Sequence, residues 1–151
     1  MTLSEVERWA LKELRRSVLQ ESDLVEFKSQ ITDPVKLARH IPGHANAARG
    51  EWILWIFGVD EKLGLVGIPG LEWAKLWSQI ESFFDGRPPR PVIVPFQENG
   101  KPLTAVAFET IDSLLPPRYQ KLTRFGPQWL AEKSPGAGGM RERTLFWVNP
   151  E

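Results

Sequence analysis

The sequence contains no cysteine, which excludes disulfide bonds and zinc sites built from thiolates. Its longest apolar run, residues 52–57, is far shorter than the roughly 20 residues of a membrane-spanning helix. The N-terminal segment is charged and amphipathic, and it lacks the apolar centre of a signal peptide. These absences lead us to expect a cytoplasmic protein with no membrane partner.

Two signatures of well-known enzyme classes are also missing. Gly64, Gly67 and Gly70 follow neither the Gly-Lys-Ser/Thr pattern of a phosphate-binding loop nor the glycine pattern of dinucleotide-binding folds. No serine has the sequence context of an α/β-hydrolase nucleophile. The sequence therefore predicts no nucleotide cofactor and gives no support for a serine hydrolase.

Charge is balanced overall, with 19 basic and 19 acidic side chains. A protein that gripped nucleic acid over its whole surface would carry an excess of basic residues. The two parts of the chain differ, because residues 1–85 carry 10 basic and 13 acidic side chains, whereas residues 86–151 carry 9 and 6. This asymmetry fits a basic face built mainly from the second part, or an ordinary mixed surface.

Length and composition are typical of one globular domain: 151 residues, 42% hydrophobic and 25% charged. Three amphipathic segments predict helices, and two of them begin at capping patterns, Ser4 with Glu7 and Asp33 with Pro34. Pro42-Gly43 predicts a kink or an end to the second helix near residue 40. The predicted helices cover residues 4–19, residues 33–40 with a further turn over 44–48, and residues 71–84.

Strand signals lie between these helices. Residues 24–28 alternate, so that Val25 and Phe27 face away from Glu26 and Lys28. Residues 52–59 are almost continuously apolar, which predicts a central strand covered on both faces. The remaining predictions are a hairpin of residues 91–96 and 103–109 turning at Asn99-Gly100, with Pro95 and Pro102 favouring a sheet edge, a short element near residues 128–132 and a last strand over residues 144–148.

Together these elements predict an α+β fold, with a mixed, mainly antiparallel sheet and helices packed on it. We expect residues 1–20 to form an N-terminal helix and residues 21–151 to form a single domain.

Acidic residues near the first two predicted strands offer a metal site. Glu26 and Lys28 share one face of the first strand, and Asp60 meets them if the next strand is its neighbour. Glu21 lies close enough in sequence to fold back to the same point. Three carboxylates favour Mg²⁺ or Mn²⁺, while the plainer alternative is a solvated Glu26–Lys28 pair with Asp60 in a turn.

Two histidines, His40 and His44, lie four residues apart. On an unbroken helix they would share a face and could share a transition metal. Pro42-Gly43 argues against such a helix, and spacing marks no third ligand. A histidine satisfied near the core, or one that contacts phosphate, is the interpretation we prefer.

Basic and aromatic residues alternate in the last forty positions. Such mixtures suit single-stranded or looped nucleic acid, because cations attract phosphates and rings stack on bases; the alternative is a proline-rich surface with ordinary exposed cations. The predicted nucleic-acid contacts in this stretch are Arg118, Lys121, Arg124, Arg141 and Arg143, interleaved with Tyr119, Phe125 and Trp129. Arg87 and Arg90, in the loop before the hairpin, are predicted contacts as well.

Several short motifs follow one another in the first half of the chain: Glu21-Ser22, Val25-Glu26-Phe27-Lys28, Ala45-Asn46, Gly58-Val59-Asp60, and Gly64 with Gly67-Ile68. This succession resembles the Schlafen AlbA-like domain. The likeness is clear over residues 21–68 and weaker to about residue 117. Arg49-Gly50 departs from it, because the family usually has two glycines there, and His44 stands where it has a small or apolar residue.

The resemblance implies an α+β domain that binds DNA, often within larger bacterial regulators and defence proteins. In the Schlafen branch the domain is a metal-dependent endoribonuclease that cleaves tRNA and rRNA. On this chain the resemblance implies Glu21, Glu26 and Asp60 as metal-binding catalytic acids and Lys28 as a catalytic lysine facing phosphate. That branch uses two lobes around a cleft, which a homodimer of this chain would supply.

Three functional hypotheses follow. The first is a nucleic-acid-binding module, with DNA or RNA as its partner, that contacts the phosphate backbone. The second is the endoribonuclease with Mg²⁺ or Mn²⁺. The third is a protein-interaction domain that uses the exposed edge of the hairpin.

Overall fold

A computed structural model of the chain describes residues 1–70, 72–84 and 88–110. The predictions for residues 128–132 and 144–148 lie outside these residues. In chain order the described elements are α1 (Leu3–Leu14), β1 (Val25–Lys28), α2 (Pro34–Ala48), β2 (Ile53–Phe57), β3 (Val59–Asp60), β4 (Gly64–Leu65), α3 (Trp73–Glu81), β5 (Arg90–Glu98) and β6 (Lys101–Glu109).

Four of the strands form one sheet in the order β1-β2-β6-β5, and β3 pairs with β4 in a small ribbon. β1 runs parallel to β2, whereas the β2–β6 and β6–β5 pairs are antiparallel. A parallel pair needs a crossover connection, which α2 supplies. The protein therefore has an α+β fold with a mixed, mainly antiparallel sheet, as the sequence predicted.

Strand β2 lies in the interior of the sheet, and all its side chains are buried. Ile53, Trp55 and Phe57 join the core formed with α2 and α3. Leu54 and Ile56 point to the opposite face, into the core formed with α1. The prediction that this strand is covered on both sides is confirmed.

Helix α1 is capped two residues before the predicted site. Thr2 is its N-cap: the hydroxyl of Thr2 accepts from the backbone N–H of Glu5 at 3.3 Å, and the Glu5 carboxylate accepts from the backbone N–H of Thr2 at 2.6 Å. Thr2 and Ser4 both have an acid three residues ahead, so the sequence holds two overlapping capping patterns. The helix also ends at Leu14, before the predicted residue 19, and Val18 beyond it is 68% exposed.

Helix α2 runs through Pro42 to Ala48, so the predicted end near residue 40 is wrong. Proline inside a helix costs about 3 kcal/mol. The buried face of α2 offsets this cost, because Ile41, Pro42 and Ala45 all pack inside the protein. The predicted start is confirmed, since the Asp33 carboxylate accepts from the N–H of Val35 at 2.8 Å.

Helix α3 is shorter than predicted and buries Trp73, Leu76 and Ile80. Ala74 lies on the exposed side of this helix. None of the helices in the described ranges is long and apolar enough to cross a lipid bilayer.

The β5–β6 hairpin is confirmed, with Asn99 and Gly100 at φ 50° and 72° in its two-residue turn. Glu98 and Lys101 flank this turn and form a hydrogen-bonded pair. Counting back from Gln97, every second residue of β5 therefore directs its backbone groups away from β6, toward the outer edge of the sheet. Pro91 and Pro95 occupy two of these outward positions. Proline has no N–H, so the outer edge of β5 is poor in donors.

Gly58 joins the end of β2 to β3 at φ 93°. Its N–H donates to the carbonyl of Lys28 at 2.7 Å, and its carbonyl accepts from Val66 and Gly67, both at 2.9 Å. A Cβ at this position would lie 2.7 Å from Leu103 and 3.1 Å from the backbone of Ile68. Gly58 is therefore required by both backbone conformation and space.

We expect Gly58→Ala to destabilise the protein by about 2–4 kcal/mol, since it adds left-handed strain to overpacking. The matched control is Gly43→Ala inside α2, where an added Cβ meets nothing within 4 Å. That change should stabilise by about 0.5–1 kcal/mol, because alanine is the better helix former. Urea unfolding of both variants checks the pair, and equal effects would contradict this role for Gly58.

Candidate functional site

Lys28 and Glu26 form an ion pair on the face of β1 that looks toward α2. Val25 and Phe27 between them are buried on the other face, as the alternation predicted. The side chains of Lys28 and Glu26 are only 14% and 23% exposed, so this is a sheltered pair rather than a solvated one. A sheltered pair is harder for salt to screen than one in open water.

Trp55 forms the floor beneath this ion pair. It lies opposite Glu26 in the parallel register of β1 and β2 and is 1% exposed. The ammonium of Lys28 lies 5.3 Å from the centroid of the indole ring, a cation–π distance. The indole N–H donates to Nδ1 of His44 at 2.7 Å, and the two rings are stacked with centroids 6.3 Å apart.

Both histidines lie on α2 beside this cluster, because the helix is continuous. Nδ1 of His40 lies 3.4 Å from the ammonium of Lys28. An indole N–H and an ammonium can only donate, so both imidazoles accept at Nδ1 and, when neutral, carry their proton on Nε2. In His44 that Nε2 atom is buried and has no hydrogen-bond partner among the described residues.

The pKa values of both histidines lie below the usual range. Burial is the main cause in each case, and the positive charge of Lys28 lowers the pKa of His40 further. For His44 the carboxylate of Glu26 and the backbone of Asp23 act in the opposite direction, but burial outweighs them. The lowered pKa values favour the neutral form of both rings, and the Nδ1 atom of each already faces a donor, Lys28 or Trp55.

Glu21 folds back onto the exposed edge of β1, as its position in the sequence suggested. Its carboxylate accepts from the backbone N–H of Phe27 at 2.9 Å, and its own N–H donates to the carboxylate of Glu61 at 3.0 Å. Burial raises the pKa of Glu21, and the nearby carboxylates of Glu26 and Glu61 raise it further. The side chain thus caps a strand edge that would otherwise be open to pairing.

Asp60 takes a different place from the one predicted for a metal ligand. Its carboxylate accepts from the backbone N–H groups of Lys62 and Leu63, at 2.8 Å and 2.9 Å. These two bonds lower the pKa of Asp60. The residue therefore closes the turn between β3 and β4, and it is Glu61 that lies beside Glu21.

The predicted metal set of Glu21, Glu26 and Asp60 therefore does not fit a bound cation in this arrangement. The Glu26 carboxylate forms an ion pair with Lys28. The carboxylates of Glu21 and Asp60 accept hydrogen bonds from backbone N–H groups, of Phe27 at the edge of β1 and of Lys62 in a turn. No group of three or more histidine and acidic side chains in the described part of the chain could hold a metal ion.

Of the predicted nucleic-acid contacts, the structure describes Arg90, which is exposed at the start of β5. The others lie outside the described residues: Arg87, Arg118, Lys121, Arg124, Arg141 and Arg143.

Comparison with known proteins gives a fold and no family. No protein-family description and no curated protein sequence matches the chain. A solved structure does match: the DIP2311 protein from Corynebacterium diphtheriae, a structural-genomics target, with a TM-score of 0.52 and 19% sequence identity. The match covers 75% of this chain and 27% of that protein, so the chain spans about a quarter of its length. At this identity the likeness is one of fold alone.

Trp55 and Glu61 belong to the cluster but were not predicted from the sequence. In the sequence, Trp55 is one core residue among several in an apolar run. Only the parallel register of β1 and β2 places it under Lys28. Glu61 follows Asp60 directly, so the sequence alone does not say which of the two acids turns toward Glu21.

Replacement of Glu21 separates its edge-capping role from its charge. Glu21→Gln keeps an oxygen that can accept from the N–H of Phe27. It also removes a carboxylate that is harder to ionise in the folded protein than in the unfolded chain. The raised pKa means that wild-type stability falls as pH rises through the folded-state value, so the stability of Glu21→Gln relative to wild type should increase from pH 4 to 7. Glu21→Ala removes the same charge and also the bond to Phe27, so it should be about 1 kcal/mol less stable than Glu21→Gln at every pH, measured by urea unfolding. Equal behaviour of the two variants would contradict the capping role.

Titration of the two histidines tests the cluster itself. We expect NMR to find both pKa values below 6.5 and both neutral rings protonated on Nε2. Because the unfolded chain then binds protons more readily, stability should fall as pH drops below 6.5. This loss should be smaller in His44→Gln than in wild type. A pKa above 6.5 for His44, or a neutral ring protonated on Nδ1, would contradict the contact with Trp55.

Proposed function

We propose that this chain is a nucleic-acid-binding module of the Schlafen AlbA-like class, working in the cytoplasm, that contacts the phosphate backbone of DNA or RNA. The contacts predicted from the sequence come from residues 87–90 and 118–143. Such contacts hold a nucleic acid in place without specifying its sequence. A protein that makes them binds less tightly as salt concentration rises.

The observation that carries the proposal is the bond from the N–H of Gly58 to the carbonyl of Lys28. It ties together two motifs that lie thirty residues apart in the sequence, Glu26-Phe27-Lys28 and Gly58-Val59-Asp60. A third motif residue, Ala45 on α2, packs in the core that also contains Trp55. The motifs behind the resemblance thus surround one pair of strands, β1 and β2, which supports their interpretation as a set.

Geometry favours binding over metal-dependent cleavage. The three acids that the nuclease hypothesis requires are each engaged elsewhere, and the turn formed by Asp60 points its carboxylate at backbone N–H groups. We therefore assign no catalytic step to Glu21, Glu26, Asp60 or Lys28.

Geometry also disfavours strand addition at the hairpin. Pro91 and Pro95 remove two donors from the outer edge of β5, and the edge of β1 is capped by Ser22 and Glu21. A partner strand would find few unpaired groups on either described edge.

Binding of the full chain to fluorescent tRNA, single-stranded DNA and duplex DNA tests the proposal. Three phosphate contacts would weaken binding about 20- to 40-fold between 50 and 200 mM salt. Parallel samples with Mn²⁺ or EDTA, and with Glu26→Ala, report on cleavage. We expect salt-sensitive binding to intact substrate in both samples. No binding to any of the three at low salt would contradict the proposal, whereas cleavage that needs Mn²⁺ and Glu26 would favour the endoribonuclease.

A further inference from the structure

Helix α1 divides its surface between the core and solvent. Val6 and Ala10 are fully buried against the sheet. Glu13 is 4% exposed, and its carboxylate pairs with Arg16 at 2.8 Å. Glu13 is thereby turned inward, while the other two acids of the helix, Glu5 and Glu7, are exposed toward its N-terminal end.

The outward face of α1 carries a row of cations, which we call the α1 stripe: Arg8, Lys12 and Arg15. Their spacing of four and three residues places them on one side of the helix. All three are exposed. Within the described residues neither Arg8 nor Lys12 has an ion pair, and Arg15 meets Glu98 only at 3.4 Å while 65% exposed.

Charge over the rest of the described chain has the opposite sign. From its cap to residue 16 the helix carries four basic and three acidic side chains, whereas the other described residues carry eleven acidic side chains and eight basic ones. The cluster around Lys28 follows this trend, because the acids Glu21, Glu26 and Glu61 gather there. The described chain outside α1 is thus net negative, whereas α1 is net positive and its cations lie between residues 8 and 16.

We propose that the α1 stripe is a phosphate-contacting surface of this protein and that its ligand is the backbone of a nucleic acid. The inference rests on the proposed function and names a surface for it. At 1.5 Å per residue the stripe spans about 10 Å along the helix, roughly three phosphates at the 3.4 Å axial rise of one DNA strand. Its length and charge therefore match a short stretch of backbone.

The ligand is a nucleic acid rather than an anionic membrane, because α1 has no apolar face to insert. Helices that lie in a membrane surface bury their apolar side among the lipids. The apolar side of α1 is already packed against the sheet. Contacts from these cations to phosphates would position a nucleic acid without specifying its sequence.

Two matched triple variants test the stripe. One carries Arg8→Gln, Lys12→Gln and Arg15→Gln, and the control carries Lys36→Gln, Lys62→Gln and Lys75→Gln, three exposed lysines elsewhere on the chain. Both remove three positive charges. The readout is the slope of log affinity against log salt for a fluorescent oligonucleotide, which changes by about 0.7–0.9 for each phosphate that the protein ceases to neutralise.

We expect the stripe variant to reduce the slope by about 2 to 3, and the control to leave it nearly unchanged. Equal reductions in the two variants, or none in the stripe variant, would overturn the stripe while leaving the proposed function in place. No binding by wild type would overturn the proposed function itself. If the triple variant does not fold by circular dichroism, the double variant of Arg8 and Lys12 should reduce the slope by about 1.4–1.8. Binding of wild type to anionic phosphatidylserine vesicles but not to the oligonucleotide would also overturn the inference.

Discussion

The structure depends on the burial of β2 from both sides. An isolated strand with apolar residues at every position has no face for water, so a layer must cover each side of it. Helices α2 and α3 cover one side of β2, and α1 covers the other side. Within the sheet, β1 and β6 are the neighbours of β2. The parallel pairing of β1 with β2 then requires α2 to cross the sheet, which brings its histidines over Trp55 and Lys28. The candidate site is thus a consequence of how one strand is buried.

Patterns with a local physical cause were predicted well from the sequence. Asn99-Gly100 specifies its turn because both residues tolerate a positive φ, and Asp33 specifies a helix start because its side chain reaches an unpaired N–H. The predicted start of α1 was wrong because two capping patterns overlap in the sequence, and local chemistry does not choose between them. The predicted end of α2 before Pro42 was wrong because the burial of the helix against the rest of the protein outweighs the local tendency of proline to end a helix.

The site was predicted in part, for a related reason. The alternation along β1 correctly paired Glu26 with Lys28 on one face. The role of Asp60 depended on the direction of a two-residue strand and its turn, where a shift of one position exchanges the two faces. The meeting of His40 and His44 with the cluster depended on the continuity of α2, which the sequence argued against. Contacts between distant segments, as between Trp55 and Lys28, carry no signal in either segment alone.

This molecule therefore combines a sheltered polar cluster on one face of its sheet with an exposed row of cations on the other. The cluster joins β1, β2 and α2 through the contacts of Lys28, Trp55 and His44, and the cations of α1 are exposed. NMR titration of the ¹⁵N-labelled full chain with a short single-stranded oligonucleotide tests this account most directly. It predicts salt-sensitive shifts of the backbone amides of residues 8–16, with little change at β2. Shifts absent from residues 8–16, or absent throughout the chain at low salt, would contradict it.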